Sequence, residues 1–189
     1  MKVLGISGSL RRDSYNTRLL RDAAKRVPKG LDIELWEGLK AVPPYDEDDD
    51  GNEAPAAVTA LREAIAGADA VLIATPEYNS SIPGALKNAL DWVSRPLATN
   101  PLRNKPVAVV GVSTGAFGAV WSQAELRKVL GTIGARVVDG ELAVGHAASK
   151  IADDGKLTEQ SACDAFGMVI GQLTDAVEAR TAANEEIAA

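Results

Sequence analysis

The stretch Gly8-Ser9-Leu10-Arg11-Arg12-Asp13-Ser14-Tyr15-Asn16-Thr17 gathers hydroxyls, an amide and two guanidinium groups. It follows a short apolar run, Val3 to Ser7, and precedes a helical stripe of Leu19, Leu20, Ala23, Ala24 and Val27. A helix N-terminus presents unpaired N–H groups and a positive dipole end, and so binds phosphate. Hydroxyls, an amide and a guanidinium complete such a site. Capping by Ser14 or Asn16 accounts for one of these side chains but not for the arginines. No G-x-x-x-x-G-K-[ST] or G-x-G-x-x-G is present, which argues against a nucleoside triphosphate loop and a dinucleotide fingerprint. Glu37 stands where a ribose-binding acid would, without the glycines that normally accompany it. A monophosphate group fits better than a pyrophosphate.

A second loop runs from Thr75 to Gly84 and is stiffened by Pro76 and Pro83. Backbone N–H groups of Glu77, Tyr78 and Asn79 can face a planar heterocycle with acceptors along one edge. The Tyr78 ring can lie against its face. An ordinary strand-to-helix loop is equally compatible with this composition. In a third loop, Gly111-Val112-Ser113-Thr114-Gly115 matches the G-x-S-x-G nucleophile elbow, and Asp139 and His146 follow in hydrolase order. Against a hydrolase, Ser122 to Glu125 reads as a capping box that starts the helix several residues after Ser113. Asp139 and His146 are also close in sequence, and the chain is small for that fold. Asp46 to Gly51 matches half of a calcium loop, but Ala57 stands where the bidentate glutamate belongs. A solvated acidic loop is the simpler reading. Cys163 is the single cysteine, which excludes an internal disulfide and a multi-cysteine metal site, and it reads as a small core residue.

The elements that must position these loops alternate. Strands are expected at Val3 to Ser7, Ile33 to Glu37, Ala70 to Thr75, Val107 to Val112 and from Arg136 to Val138. Helices are expected between them, with Pro83 at a first helical position, and a last helix carries Ala162 to Val177. Five such units imply one α/β domain over residues 1–180, with three layers, a five-stranded parallel sheet and helices on both faces. Residues 181–189 are expected to fray. In such sheets ligands sit beyond the carboxyl ends of the strands, where all three loops lie. The chain has 189 residues, and its net charge is 20 − 26 = −6. Five acids crowd Asp46 to Asp50, whereas Arg11 to Lys29 holds seven Lys and Arg against two Asp. The acidic balance argues against nucleic acid as the main partner. The opening residues do not read as a signal peptide, and no apolar run approaches the ~20 residues of a membrane span. A soluble cytoplasmic protein is expected.

Gly8-Ser9-Leu10-Arg11, with Ser14 and Asn16, resembles the phosphate loop of the NADPH-dependent FMN reductase family, which includes quinone, chromate and azo-dye reductases. Pro76-Glu77-Tyr78-Asn79, then Ser81, Pro83, Gly84, Leu86 to Ala89, Asp91-Trp92 and Ser94-Arg95, resemble its second motif. Ser113 to Gly115 through Leu126-Arg127 is similar to a looser third segment. The resemblance runs from the first strand to the fifth and leaves out the tail after Asp139. It implies a flavodoxin-like fold, non-covalently bound FMN, NADPH or NADH as hydride source, and a small-molecule electron acceptor. It places Ser9, Arg11, Ser14 and Asn16 at the phosphate, Pro76, Glu77, Tyr78 and Asn79 at the isoalloxazine, and Ser113 at a further flavin contact. No catalytic side chain and no metal are implied. The helix from Pro83 to Arg95 resembles the one that forms dimers. Trp121 and Ala124 fall in a segment that helps tetramers form, so a homodimer or homotetramer is implied. A flavodoxin-type electron carrier shares the fold and the acidic charge. Its phosphate loop is typically a Thr/Ser-Gly run, unlike Gly8 to Arg12.

Overall fold

A computed structural model of the chain describes residues 1–51 and 54–188, with side chains through Glu186. The strands are β1 (Lys2–Ser7), β2 (Asp32–Trp36), β3 (Ala70–Thr75), β4 (Pro106–Val112), β5 (Arg136–Val137) and β6 (Ala143–Val144). The helices are α1 (Tyr15–Arg26), α2 (Ala56–Ala66), α3 (Gly84–Val93), α4 (Val120–Ile133), α5 (Ala147–Lys150) and α6 (Gln160–Ala188). A 3-10 turn occupies Gly38–Ala41. The strand order is β2-β1-β3-β4-β5, every pairing is parallel, and β6 also pairs with β4. This is the flavodoxin-like order, whose direction reverses between β1 and β3.

The core explains why β3 and β4 are apolar throughout. Successive strand residues point to opposite faces. Ala70, Leu72 and Ala74 pack with Leu19 and Leu20 of α1 and with Val169 and Leu173 of α6. Val71 and Ile73 pack on the other side with Leu61 of α2, Leu86 and Leu90 of α3, and Leu126 of α4. Both faces are covered, so neither tolerates polar residues.

Several details differ from the sequence reading. The fifth strand position is split: β5 pairs with Pro106 and Val107, and β6 with Gly111 and Val112. The edge takes 143 − 137 = 6 residue steps where β4 takes 111 − 107 = 4, so two extra residues bulge out. Arg127 of α4 closes the gap by donating to the carbonyls of Val138 (2.6 Å) and Gly140 (2.5 Å). Gln172 of α6 accepts the Gly140 N–H at 2.6 Å. Pro83 stands just before α3 as its cap instead of inside it. Helix α6 continues to Ala188, through most of the tail expected to fray from residue 181. Ala189, the last residue of that tail, lies outside the described residues.

Candidate active site

The three loops expected to carry chemistry meet at the carboxyl ends of β1, β3 and β4. Between them lies a cavity of about 80 Å³. The first loop lines it with Ser9, Arg11, Ser14 and Asn16, the second with Pro76, Glu77 and Tyr78, and the third with Ser113. Asn79 lies outside this lining, at the tip of the second loop. Tyr15, Val112 and Thr114 also line the cavity and were missed. Their only sequence signal is adjacency to residues that were named.

The first loop is held against the second by Gly8. Its N–H donates to the Ala74 carbonyl at 2.8 Å. A Cβ there would lie 2.9 Å from a Leu86 methyl and 3.3 Å from Pro76, so a side chain would push the loops apart. Helix α1 then begins. The Ser14 hydroxyl caps it, accepting the Thr17 N–H at 3.4 Å, and the Ser14 carbonyl accepts the Arg18 N–H at 2.9 Å. The N–H groups of Tyr15 and Asn16 have no partner among the described residues. They are first-turn donors at the positive end of the helix, beside Arg11 and two serine hydroxyls. The Asn16 side chain does something else. Its Nδ2 donates to the Val112 carbonyl at 2.9 Å, and its Oδ1 accepts the Val112 N–H at 3.1 Å. The amide is buried and ties α1 to the end of β4.

In the second loop, Tyr78 and Ser81 exchange backbone bonds at 3.2 and 3.1 Å. Asn79 and Ser80 between them have φ of 53° and 58°. This is a two-residue hairpin, in which both central residues must be left-handed. It uses up the Tyr78 N–H, so the three successive donors expected for a heterocycle become two, those of Glu77 and Asn79. The Glu77 carboxylate accepts the N–H groups of Trp121 and Ser122 at 3.0 and 3.1 Å. It therefore caps α4 from another loop. The expected capping box at Ser122 is overturned. Ser122 is the third residue of α4 and fully buried, with its Oγ 3.0 Å from the Thr75 hydroxyl. Glu125, the other half of that box, accepts the Ser81 hydroxyl at 2.5 Å and the Ile82 N–H at 3.3 Å. These bonds, the Ser81 hydroxyl first, hold its carboxyl below the usual glutamate range.

In the third loop the Ser113 hydroxyl accepts the Gly115 N–H at 3.1 Å. Asp139 and His146 are exposed, and neither side chain bonds Ser113. Helix α4 starts at Val120, seven residues on, so the sharp strand–serine–helix turn of a hydrolase is missing. Gly111 is needed for packing, since a Cβ there would lie 2.5 Å from the Gln123 amide nitrogen. Around the cleft, Leu10, Tyr78, Phe117 and Trp121 are exposed, and the last two rings meet edge to face at 5.0 Å. Among the described residues no cluster suits a metal ion.

Residues 1–149 match the family model described as NADPH-dependent FMN reductase. An NAD(P)H-dependent FMN reductase of Pseudomonas aeruginosa is 50% identical over 130 residues, covering 69% of each chain. A quinone reductase of Escherichia coli is 37% identical over 177 residues, covering 92% of each. The solved flavoenzyme NAD(P)H:(acceptor) oxidoreductase of Paracoccus denitrificans superposes with a TM-score of 0.82 at 36% identity, covering 94% of this chain and 97% of that one. Helix-end donors, a neighbouring arginine, the flavodoxin-like strand order and a match over most of the chain converge, and the chain belongs to the NADPH-dependent FMN reductase family.

Proposed function

We propose that the chain is an FMN-dependent NAD(P)H oxidoreductase acting on quinones and similar small electron acceptors. The observation that carries this is the single cleft in which unpaired helix-end donors and Arg11 face the second and third loops. The residues fit the cofactor. The free Tyr15 and Asn16 N–H groups, the Ser9 and Ser14 hydroxyls and the Arg11 guanidinium suit a phosphate monoester. About 80 Å³ takes such a group and is far too small for a whole flavin, whose ring is left to the second and third loops. There the Glu77 and Asn79 N–H groups and the Tyr78 ring are available, with Ser113 opposite. FMN, when bound, supplies a ring that accepts hydride from NAD(P)H and gives electrons to an acceptor. The chain's residues bind and orient it; none is assigned a proton transfer.

Reduced nicotinamide and acceptor share the open side of the cleft in turn, giving ping-pong kinetics. Parallel double-reciprocal lines are expected, and intersecting ones would count against shared access. The exposed ring of Leu10, Tyr78, Phe117 and Trp121, together with α3, is the surface for a homodimer or homotetramer. Size-exclusion chromatography with light scattering is expected to give twice or four times 19.7 kDa. No helix among the described residues is long and apolar enough to cross a membrane.

The direct test is to mix the protein with FMN, desalt it and add NADPH without oxygen. A retained yellow flavin that bleaches is the expected outcome. A protein that holds no flavin overturns the proposal. One that holds flavin but oxidises no NADPH without a partner reductase is a carrier.

A further inference from the structure

A second cavity, of about 320 Å³, lies on the far side of the first loop, at the carboxyl ends of β1 and β2. Ser9 and Arg11 line both cavities, so this loop is the wall between them. The second cavity is cationic. Arg11, Arg12, Arg21 and Lys40 line it against one carboxylate, Glu37. Arg21 is paired with Glu37 at 2.7 Å, while Arg12 and Lys40 have no carboxylate partner among the described residues. The indole of Trp36 forms part of the lining. Gly38 packs against that ring, for a Cβ there would lie 2.5 Å from it.

We infer that this cavity binds the adenosine 2′-phosphate end of NADPH. The chemistry is that of a phosphorylated nucleoside. Glu37 stands at the end of the second strand, where an acid can take a ribose hydroxyl, and an adjacent arginine instead takes a 2′-phosphate. Here Arg21 neutralises Glu37 at 2.7 Å, and Arg12 and Lys40 supply the unneutralised charge for the phosphate. An indole offers a flat face to a purine. The volume suits a nucleoside with its phosphates and is about four times that of the first cavity. This assignment rests on the reading of the first cavity as the FMN phosphate site, with which the second shares the wall of Ser9 and Arg11.

The test titrates FMN-loaded protein by calorimetry with adenosine 2′,5′-bisphosphate and, separately, with adenosine 5′-monophosphate. The bisphosphate is also tried as an inhibitor of NADPH oxidation. It is expected to compete with NADPH and to bind about tenfold or more tightly than the monophosphate, because one phosphate gains charge-assisted bonds. The double substitution Arg12→Gln, Lys40→Gln is expected to abolish that preference. It should also lower kcat/KM for NADPH relative to NADH by about tenfold. Both side chains are exposed, so the variant should fold, and circular dichroism checks this. Equal affinity for the two nucleotides, non-competitive inhibition, equal displacement by inorganic phosphate, or an unchanged coenzyme ratio in the variant would each overturn the inference. Flavin retention is read from the visible spectrum first. If no flavin is held, the flavin reading fails by itself, and calorimetry on the same protein still reports whether the cavity prefers the bisphosphate.

Discussion

Arg11 and Asn16 belong to one motif and do different things. Arg11 faces the cavity with only a long contact to the Asp13 carbonyl, so its charge is available to a ligand. Arg11→Ala is expected to weaken FMN binding by about 1.5–3 kcal/mol, the worth of a charged hydrogen bond, and to leave the unfolding midpoint unchanged. A fluorescence titration of FMN and a urea melt check both halves. Asn16→Leu should do the reverse in order of size. It strands the buried N–H and carbonyl of Val112, each costing about 1–3 kcal/mol, and so lowers stability first. A variant as stable as the parent would show that the amide is not a structural tie. The sequence marks both residues as polar and close to a helix start. It cannot show that the partner of Asn16 lies 96 positions away.

At the level of elements, α4 and the second loop are joined by two carboxylates. Helical periodicity finds α4 correctly, and local spacing misplaces its cap, because Glu77 arrives from a loop 44 and 45 positions upstream of the donors it satisfies. Glu77→Gln keeps the bonds but removes the charge at a helix N-terminus, an expected loss of about 0.3–1 kcal/mol by denaturant unfolding. Glu125 makes a pH prediction. Its carboxyl is held below the 4.5 of an ordinary glutamate, chiefly by the Ser81 hydroxyl. The tether therefore contributes stability at pH above the ordinary value and loses it as pH falls through the lower, folded value. Thermal melts of the parent and of Glu125→Gln should differ at pH 6 and converge toward pH 3. A constant difference would rule out the carboxylate as the source.

For the molecule as a whole, the apolar runs of β1, β3 and β4 made the parallel sheet and the meeting of three loops at its carboxyl ends legible, since doubly covered strands can hold little else. The split at β5 and β6 was not legible, because short edge strands carry weak alternation and their shape depends on Arg127 and Gln172. At the opposite end from the site, the buried Lys105 ammonium donates to the carbonyls of Ala68 and Ala66 at 2.5 and 3.3 Å. Burial lowers its pKa from 10.5. Between that lowered value and 10.5 the unfolded chain binds more protons than the folded one, so this group makes stability rise with pH. Urea melts from pH 7 to 10.5 should show the rise in the parent and lose it in Lys105→Met.

The interrupted edge has a consequence for how copies of this chain can meet. A sheet with an open, regular margin invites another strand to add to it, the first step toward fibres. One margin here is broken by a two-residue bulge whose carbonyls are claimed by Arg127. The other, β2, is five residues long and carries Asp32 and Glu34 on its exposed positions. Neither margin is a ready template for an added strand, so a contact between copies would have to use helix and loop surfaces.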